Sequence, residues 1–598
     1  MKIGKMEMSR FFAGLCMIAA LLTAALSYAD MVSDWNNTTL VSIKANMGSP
    51  MRDALVLATV HAAVYEAVNS VEGNYRVYRA LEPSAKGASA EAAAAAAAHR
   101  VLVSLFPSQI MSLDEALAMS LSSVPDGDAK DRGIAAGEAV ADDIIAWRSA
   151  DASVGMAPYT PGDEPGEWRP TPPDFMMAMF PGWSMLTPFA ITDGTAFRVE
   201  PHPALTSSEY ALEFLRTKTL GSKNSTMRSE EEKEIAMFWM ANPVDRWNMI
   251  AQQAVAQRGI SVEESARLFA LLNFALNDAQ IAAWDTKYFY NRWRPITAIR
   301  EADTDGNSLT DYDPTWEPLL ASTPAHPEYV SGHSTVSGAA AEVLASFFGT
   351  DNMTFTVQPS SSSGMMPMMK AMMPAPMPQE PRTFDSFSDA VNEIGISRIY
   401  GGIHFDSSNT TGKVLGRTVG KYVLENMLLV NNAPAEPAII SPAEGASGVA
   451  YTPTVFSWTK CTDPDSSDVV SYVLEYTSDA SLNDWTSVEV PYEPENNGVT
   501  GLGLASAALF GTIVVSQRKG SKILMSLLLA ISIGFSLASF SSCGGSGSPL
   551  DENVQTMELS VDLEPDTAYT WKITAVDSNG KGTTSATASF TTKSPTPF

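Results

Sequence analysis

The sequence predicts a mainly α-helical domain followed by an all-β sandwich, and three observations predict it. Apolar residues recur at helical spacing early in the chain, as in Ala54, Leu55, Leu57, Val60, Ala63, Val64 and Ala67. After Asn431-Asn-Ala-Pro434 the pattern switches to short runs of β-branched and aromatic residues. At 598 residues the chain is also long enough for more than one domain.

Residues 1–29 read as a secretory signal: Lys2, Lys5 and Arg10 precede an apolar run from Phe11 to Leu26, and Ser27-Tyr28-Ala29 supplies a small-x-small cleavage site. A retained N-terminal anchor is the alternative. Loss of Cys16 with the signal leaves Cys461 and Cys543, so disulfides do not organise the fold. The helical domain is expected over 30–432. Within it, 44–150 is dominated by helical patterns, and the alanine run at 92–98 reads as a tightly packed helix. His61 and His99 lie among apolar positions and read as packed histidines rather than ligands. Residues 156–206 are rich in Pro and Gly and predict a long irregular crossing segment. Its Trp168, Phe180 and Trp183 either pack that segment down, the favoured reading, or line a pocket entrance.

Helices are then predicted at 207–220, 229–241, 245–258 and 262–284, the second with an acidic first turn of Glu230, Glu231 and Glu232 suited to a helix N-terminus. Asp303-Thr-Asp305-Gly306-Asn307 lacks calcium-loop spacing and reads as a solvated acidic turn. Further helices are predicted at 333–348, 386–396 and 409–428. Between them, 358–382 is a Met- and Pro-rich low-complexity stretch. It reads as a Pro-broken surface loop, with a thioether site for Cu(I) as the other possibility.

Strands are expected at Val455–Trp458, Ser471–Tyr476, Trp485–Val490, Met557–Val561, Ala568–Ala575 and Ala588–Thr592. They are assigned to one sandwich over 436–594, split by an insertion at 498–545. In that insertion two apolar runs, Gly498 to Val515 and Ile523 to Ser542, flank the basic Gln517-Arg518-Lys519-Gly520-Ser521-Lys522. Each run approaches bilayer-spanning length. Three readings stand: a membrane hairpin over 498–542, whose basic loop obeys the positive-inside rule; a lipid anchor at Cys543; or a buried apolar hairpin.

A net charge of −28 argues against a nucleic-acid partner, and any anion site must be a local positive pocket. Three short runs have that character: Lys287-Tyr-Phe-Tyr-Asn-Arg-Trp-Arg294-Pro295, His326-Pro-Glu-Tyr-Val-Ser331-Gly332-His333-Ser334, and Ser397-Arg398-Ile-Tyr-Gly-Gly402-Ile-His404. Arg presents a planar fork of donors to a tetrahedral oxyanion and Lys a point charge. A hydroxyl and a glycine N–H, here Ser331 and Gly332, add short neutral donors. Of two imidazoles, one can bond the central atom and the other can move protons near neutral pH. Lys287 and Arg294 are two helical turns apart, so both can face one pocket. Arg398 and His404 need a turn at Gly401-Gly402 to converge. The 333–348 helix should start at the Ser-Gly-His turn and aim its N–H groups into the pocket.

Lys-x6-Arg-Pro, Ser-Gly-His and Ser-Arg-x3-Gly-x-His, in this order, resemble the signature of the vanadium-dependent haloperoxidases, in the superfamily that includes the type 2 phosphatidic acid phosphatases. The resemblance extends over 33–430, taking in Met51–Ser70, the 91–106 run and Trp168–Phe189. It implies a helical-bundle fold with the site in the second bundle and vanadate as cofactor. Lys287, Arg294, Arg398, Ser331 and Gly332 would hold the vanadate oxygens, His404 would bond vanadium, and His333 would be the acid/base. The sequence departs from the pattern at Val330, where the family usually has Pro, and at Asp406, which receives no role. Leu563-x-Pro565-x-Thr567-x-Tyr569 resembles the tyrosine-corner run of fibronectin type III domains.

The resemblance implies an exported haloperoxidase that uses hydrogen peroxide to oxidise halide and halogenate small organic acceptors. His326 stands where chloroperoxidases of the family have an aromatic residue and bromoperoxidases have His, which favours bromide or iodide. Two alternatives follow. One is an acid phosphatase-like hydrolase, with His404 attacking phosphorus and His333 protonating the leaving group. The other is a non-enzymatic surface adhesion protein, which the presence of all seven site residues disfavours.

Overall fold

The computed structural model describes residues 30–46, 49–79, 85–151, 157–359, 378, 380–465, 468–490 and 556–595. The expected signal at 1–29, most of the 358–382 stretch and the 498–545 insertion lie outside them. The chain divides into two compact units, Met1–Leu429 and Val430–Phe598.

Helices of the first unit follow their capping chemistry. They are α1 Met31–Ala45, α2 Pro50–Glu72, α3 Ala90–Leu105, α4 Ile110–Ser122, α5 Asp128–Arg148, α6 Ser208–Leu220, α7 Glu230–Phe238, α8 Pro243–Arg258, α9 Val262–Tyr290, α10 Pro295–Arg300, α11 Gly332–Phe348, α12 Phe387–Tyr400 and α13 Asp406–Asn426. Ser261 and Glu264 form a reciprocal capping box that starts α9, the longest of these helices. Residues from Leu268 to Trp284 of α9 are buried without interruption, as befits a helix that packs against α2 on one side and α11 and α13 on another. It ends where Asn291 turns left-handed at φ +50° and donates its N–H to the Lys287 carbonyl.

The alanine run of α3 packs against α5 and α2. Gly133 and Gly137 of α5 sit so close to α3 that a Cβ would fall 2.4 and 2.3 Å from the Ser89 and Ala93 carbonyls. On α13, Gly412, Gly416 and Gly420 lie four residues apart. A Cβ at each would come within 2.9, 1.9 and 2.8 Å of the Ser331, Thr335 and Ala339 oxygens of α11 and its cap. Two backbones thus meet directly. The irregular segment 157–206 is as predicted, and one carboxylate pins part of it: Asp278 of α9 accepts from the N–H groups of Phe189, Ala190 and Ile191 at 2.9, 2.7 and 3.0 Å.

Several boundaries differ from the sequence reading. α7 stops at Phe238, not 241, because Asn242 caps the next helix and Pro243 opens it. α12 runs on to Tyr400, so Arg398 rides its last turn. The Asp303–Asn307 turn is solvated only in part: Asp303, Thr304 and Gly306 are exposed, but its other two residues are not. Asp305 and Asn307 are buried, Asp305 accepts from Asn307 N and Thr310 Oγ1 at 2.8 Å each, and Asn307 donates to the Leu205 and Ser207 carbonyls. A short antiparallel pair, β1 Phe355–Val357 and β2 Arg382–Phe384, brackets the Met-rich stretch.

The second unit contains β3 Ile439–Ser441, β4 Ala446–Val449, β5 Thr454–Thr459, β6 Ser471–Thr477, β7 Thr486–Val490, β8 Thr556–Val561, β9 Ala568–Val576, β10 Gly582–Thr584 and β11 Ala588–Thr592. One sheet has the order β4-β11-β9-β6-β7, with β10 also paired to β9, and the other has the order β3-β5-β8. Phe456 and Trp458 of the smaller sheet share one buried cluster with Tyr472, Leu474, Trp571, Ile573 and Phe590 of the larger. All six expected strands are present. β3, β4 and β10 were too short to read from periodicity.

Candidate active site

The left-handed turn at Asn291 decides how the first motif is presented. Lys287 is on the last turn of α9, but Arg294 is not on that helix; it is the cap residue before α10. The two converge because the chain doubles back, not because they share a helical face. The crossing segment clamps the reversal through Trp168 N to Asn291 O at 2.7 Å and Trp293 N to Gly166 O at 2.8 Å. Trp168 and Trp183 are buried, consistent with packing rather than lining an entrance.

Ser331 caps α11, its hydroxyl accepting from Ser334 N, so Gly332 and His333 occupy the first turn of that helix, as expected. Gly402 makes the last turn possible. It has φ +76°, and a Cβ there would strike the Gly221 carbonyl at 2.4 Å. His404 is therefore swung back towards α9 two residues before α13 begins.

The structure gathers Lys287, Arg294, His404 and His326 into one cluster, with Arg398 and His333 within electrostatic reach of His404 and with Ser331 and Gly332 beside His333 at the start of α11. Arg294 donates Nε to the His326 carbonyl at 2.9 Å and Nη1 to the Ile403 carbonyl at 2.9 Å. Its Nη1 also lies 3.3 Å from His404 Nε2, and its Nη2 lies 3.0 Å from His326 Nδ1. Lys287 donates to the Pro327 and Glu328 carbonyls at 3.0 and 3.1 Å. Arg398 donates Nη1 to the Trp239 carbonyl at 3.1 Å, and its buried Nε has no partner among the described residues. His333 Nε2 lies 3.3 Å from the Ala241 carbonyl, an acceptor that such a contact can satisfy only with the proton on Nε2. Lys287, Arg294, Ser331, Arg398 and His404 are buried and form a floor. His326, Gly332 and His333 are half-buried and form the rim. Trp284 stacks at a tilt on His326 with ring centres 4.8 Å apart.

Two residues that sequence reasoning passed over organise this floor. Glu328 is fully buried. Its Oε1 accepts from His404 Nδ1 and from Phe405 N, both at 2.9 Å, and its Oε2 accepts from Ser408 Oγ at 2.6 Å. Arg292, also fully buried, pairs with Glu328 at 3.3 Å, and its other arm bonds Glu213 of α6. Both lie inside the motif runs, Arg292 before Trp293 and Glu328 between Pro327 and Tyr329.

Burial is the main cause of the electrostatics. It holds Lys287 well below the ordinary lysine value, with Arg294 adding to the effect and Glu328 opposing it. It lowers Arg294 to about 10 and Arg398 to about 9, Arg294 adding to the latter. His404 is held well below 6.5 by burial, then by Arg294 and Lys287; His333 by burial, then by Arg398. A cluster of destabilised cations around a neutral imidazole gains from an anion. The donor set (three cations, the orphaned Arg398 Nε, a hydroxyl, and an N–H at a helix N-terminus) fits a tetrahedral oxyanion such as vanadate.

Residues 267–432 match the model of the second helical-bundle domain of vanadium chloroperoxidase. A solved bacterial vanadium-dependent iodoperoxidase is 27% identical and covers 67% of this chain and 97% of its own, with a TM-score of 0.57. The helical unit has the vanadium haloperoxidase fold. A bacterial vanadium-dependent chloroperoxidase structure shares that fold at 19% identity and a TM-score of 0.51, covering 63% of this chain and 92% of its own. The vanadium chloroperoxidase of Curvularia inaequalis is 26% identical over 228 residues, 30% of this chain; the match spans 37% of that relative's length. These likenesses support a vanadium-dependent haloperoxidase with vanadate as its cofactor.

Proposed function

We propose that the protein is an exported, vanadate-dependent haloperoxidase that acts on hydrogen peroxide and halide, with bromide or iodide favoured over chloride. One observation carries the proposal. Because a carboxylate can only accept, Glu328 fixes the His404 proton on Nδ1 and leaves Nε2 an unprotonated acceptor turned towards Arg294. Nε2 would bond vanadium, while Lys287, Arg294 and Arg398, the Ser331 hydroxyl and the Gly332 N–H would hold the oxygens. The chemistry that vanadate supplies when bound is oxidation of halide by hydrogen peroxide to hypohalous acid, which halogenates small organic acceptors. His333 would accept and return the proton. His326 on the rim, tied to Arg294, would set halide preference. The iodoperoxidase and chloroperoxidase relatives differ in the halide they are named for, so this preference rests on His326.

The second unit is proposed to be a fibronectin type III-like domain. The Tyr569 hydroxyl accepts from Glu564 N at 3.1 Å, which ties the Leu563–Tyr569 run into a corner. Export through 1–29 and membrane association through 498–542 complete the proposal.

The test is bromide-dependent halogenation of a phenol dye by purified protein with hydrogen peroxide, with and without orthovanadate, beside p-nitrophenyl phosphate hydrolysis. Halogenation that requires vanadate is expected. Phosphate-ester cleavage suppressed by vanadate, without halogenation, would instead assign the same residues to a phosphatase.

A further inference from the structure

The second unit carries a group of oxygens that the haloperoxidase reading does not use. Asp463 and Asp468 lie between β5 and β6, and Asp577 follows β9. One carboxylate oxygen from each lies within 4.8 Å of the others. Asp577 is buried; among the described residues Oδ2 of Asp463 is buried without a hydrogen-bond donor, and Oδ2 of Asp577 has none besides the Asn431 amide. Like charges at this separation, withdrawn from water, disfavour one another.

A second, independent feature points the same way. Asn431 is 0% exposed, and its Oδ1 has no hydrogen-bond donor among the described residues. Its amide sits against the Asp577 carboxylate. A buried amide ordinarily satisfies both ends. The other oxygens of the group are held by donors that orient them. Asp577 Oδ1 accepts from Asn579 N and Lys581 N at 2.8 and 2.9 Å, Asp463 Oδ1 from Asp465 N at 2.7 Å, and Asp468 from Ser578 Oγ and Asn579 Nδ2 at 3.1 and 2.8 Å. The Lys581 ammonium is directed to the Asn431 main-chain carbonyl at 2.8 Å.

We infer that Asp463, Asp468, Asp577 and the Asn431 side-chain carbonyl form a calcium site. The ligand set is all oxygen, strongly anionic and without His or Cys, which selects a hard cation. Ca2+ tolerates an irregular shell of six to eight oxygens completed by water, where Mg2+ demands a regular octahedron. The ion would fasten the second residue of the unit to the β5–β6 and β9–β10 connections.

The test uses the full chain, treated with chelator and titrated with CaCl2 by calorimetry, with thermal unfolding in Ca2+ and in chelator. Wild type is expected to bind one Ca2+ per chain and to melt higher in its presence. The Asp463→Asn/Asp577→Asn double variant is expected to bind at least about tenfold more weakly and to lose the thermal response. Asn431→Leu keeps the acidic group and should also weaken binding. No binding and no thermal response in wild type would overturn the inference, whether or not the variants fold, and so would unchanged Ca2+ affinity in the double variant.

Discussion

Glu328 Oε1 lies 2.9 Å from Nδ1 of His404, and the same carboxylate pairs with Arg292, whose other arm bonds Glu213. The imidazole is thereby held in one tautomer and one orientation by a chain of buried charges. Glu328→Gln can present an N–H to Nδ1 and release the tautomer. Orthovanadate affinity should fall by about 10–100-fold in this variant, by analogy with other residues that orient metal-binding histidines. Calorimetric titration of the chelator-treated protein measures it, and unchanged affinity would show that the tautomer is not set by Glu328.

His404→Ala removes the atom proposed to bond the oxyanion while leaving the cations in place. Covalent vanadate capture should be abolished, and halogenating activity with it. Full activity in that variant would overturn the site assignment.

His326→Phe should raise the chloride-to-bromide ratio of halogenation rates. It removes the ring nitrogen 3.0 Å from Arg294 Nη2 and keeps the stacking partner of Trp284. A competition assay with mixed halides reads the ratio directly.

The pH dependence follows from the directions of the shifts. His404 is held well below 6.5, so Nε2 stays unprotonated as pH falls through that value, and capture persists there. Lys287 is held well below 10.5, Arg398 at about 9 and Arg294 at about 10. A bound anion raises all three, so binding takes up protons, and affinity declines as pH rises towards these values. Titrations in buffers of different ionisation enthalpy measure the uptake. Net proton release attributable to the protein would contradict it.

Gly416→Ala places a methyl 1.9 Å from the Thr335 carbonyl, and α13 cannot move away without disturbing the Ser331 cap. A loss of about 1–3 kcal/mol is expected from overpacking alone. Asp278→Asn replaces an acceptor of three N–H groups with one that retains a single oxygen, and about 1–3 kcal/mol should be lost there too. Denaturant unfolding checks both.

Much of the site was legible because it is written in short local runs: Ser331-Gly332-His333 is a helix start, and Gly402 a left-handed turn. What was not legible lies in pairings between runs. Arg292 and Glu328 read as polar residues inside motifs, and nothing local says that Glu213, on a separate helix, completes them. Arg294 reached the pocket by a route the seven-residue spacing did not indicate, because Asn291 ended the helix between it and Lys287. Asp278 was hidden among apolar neighbours for the same reason: its partners are the backbone of a distant irregular segment. The β-unit was readable where strands alternate over five or more residues, and unreadable in the three-residue β3 and β10.

The division between a buried floor and a half-buried rim bears on how such a protein can diverge. Arg294, Lys287 and His404 each satisfy main-chain or carboxylate partners as well as facing the cluster, so a change at any of them disturbs several bonds at once. His326 and His333 are half-buried and meet the opening. Selection for a different halide or acceptor therefore has its freedom at the rim, and a library confined to position 326 and the residues around Trp284 should change preference while oxyanion capture survives.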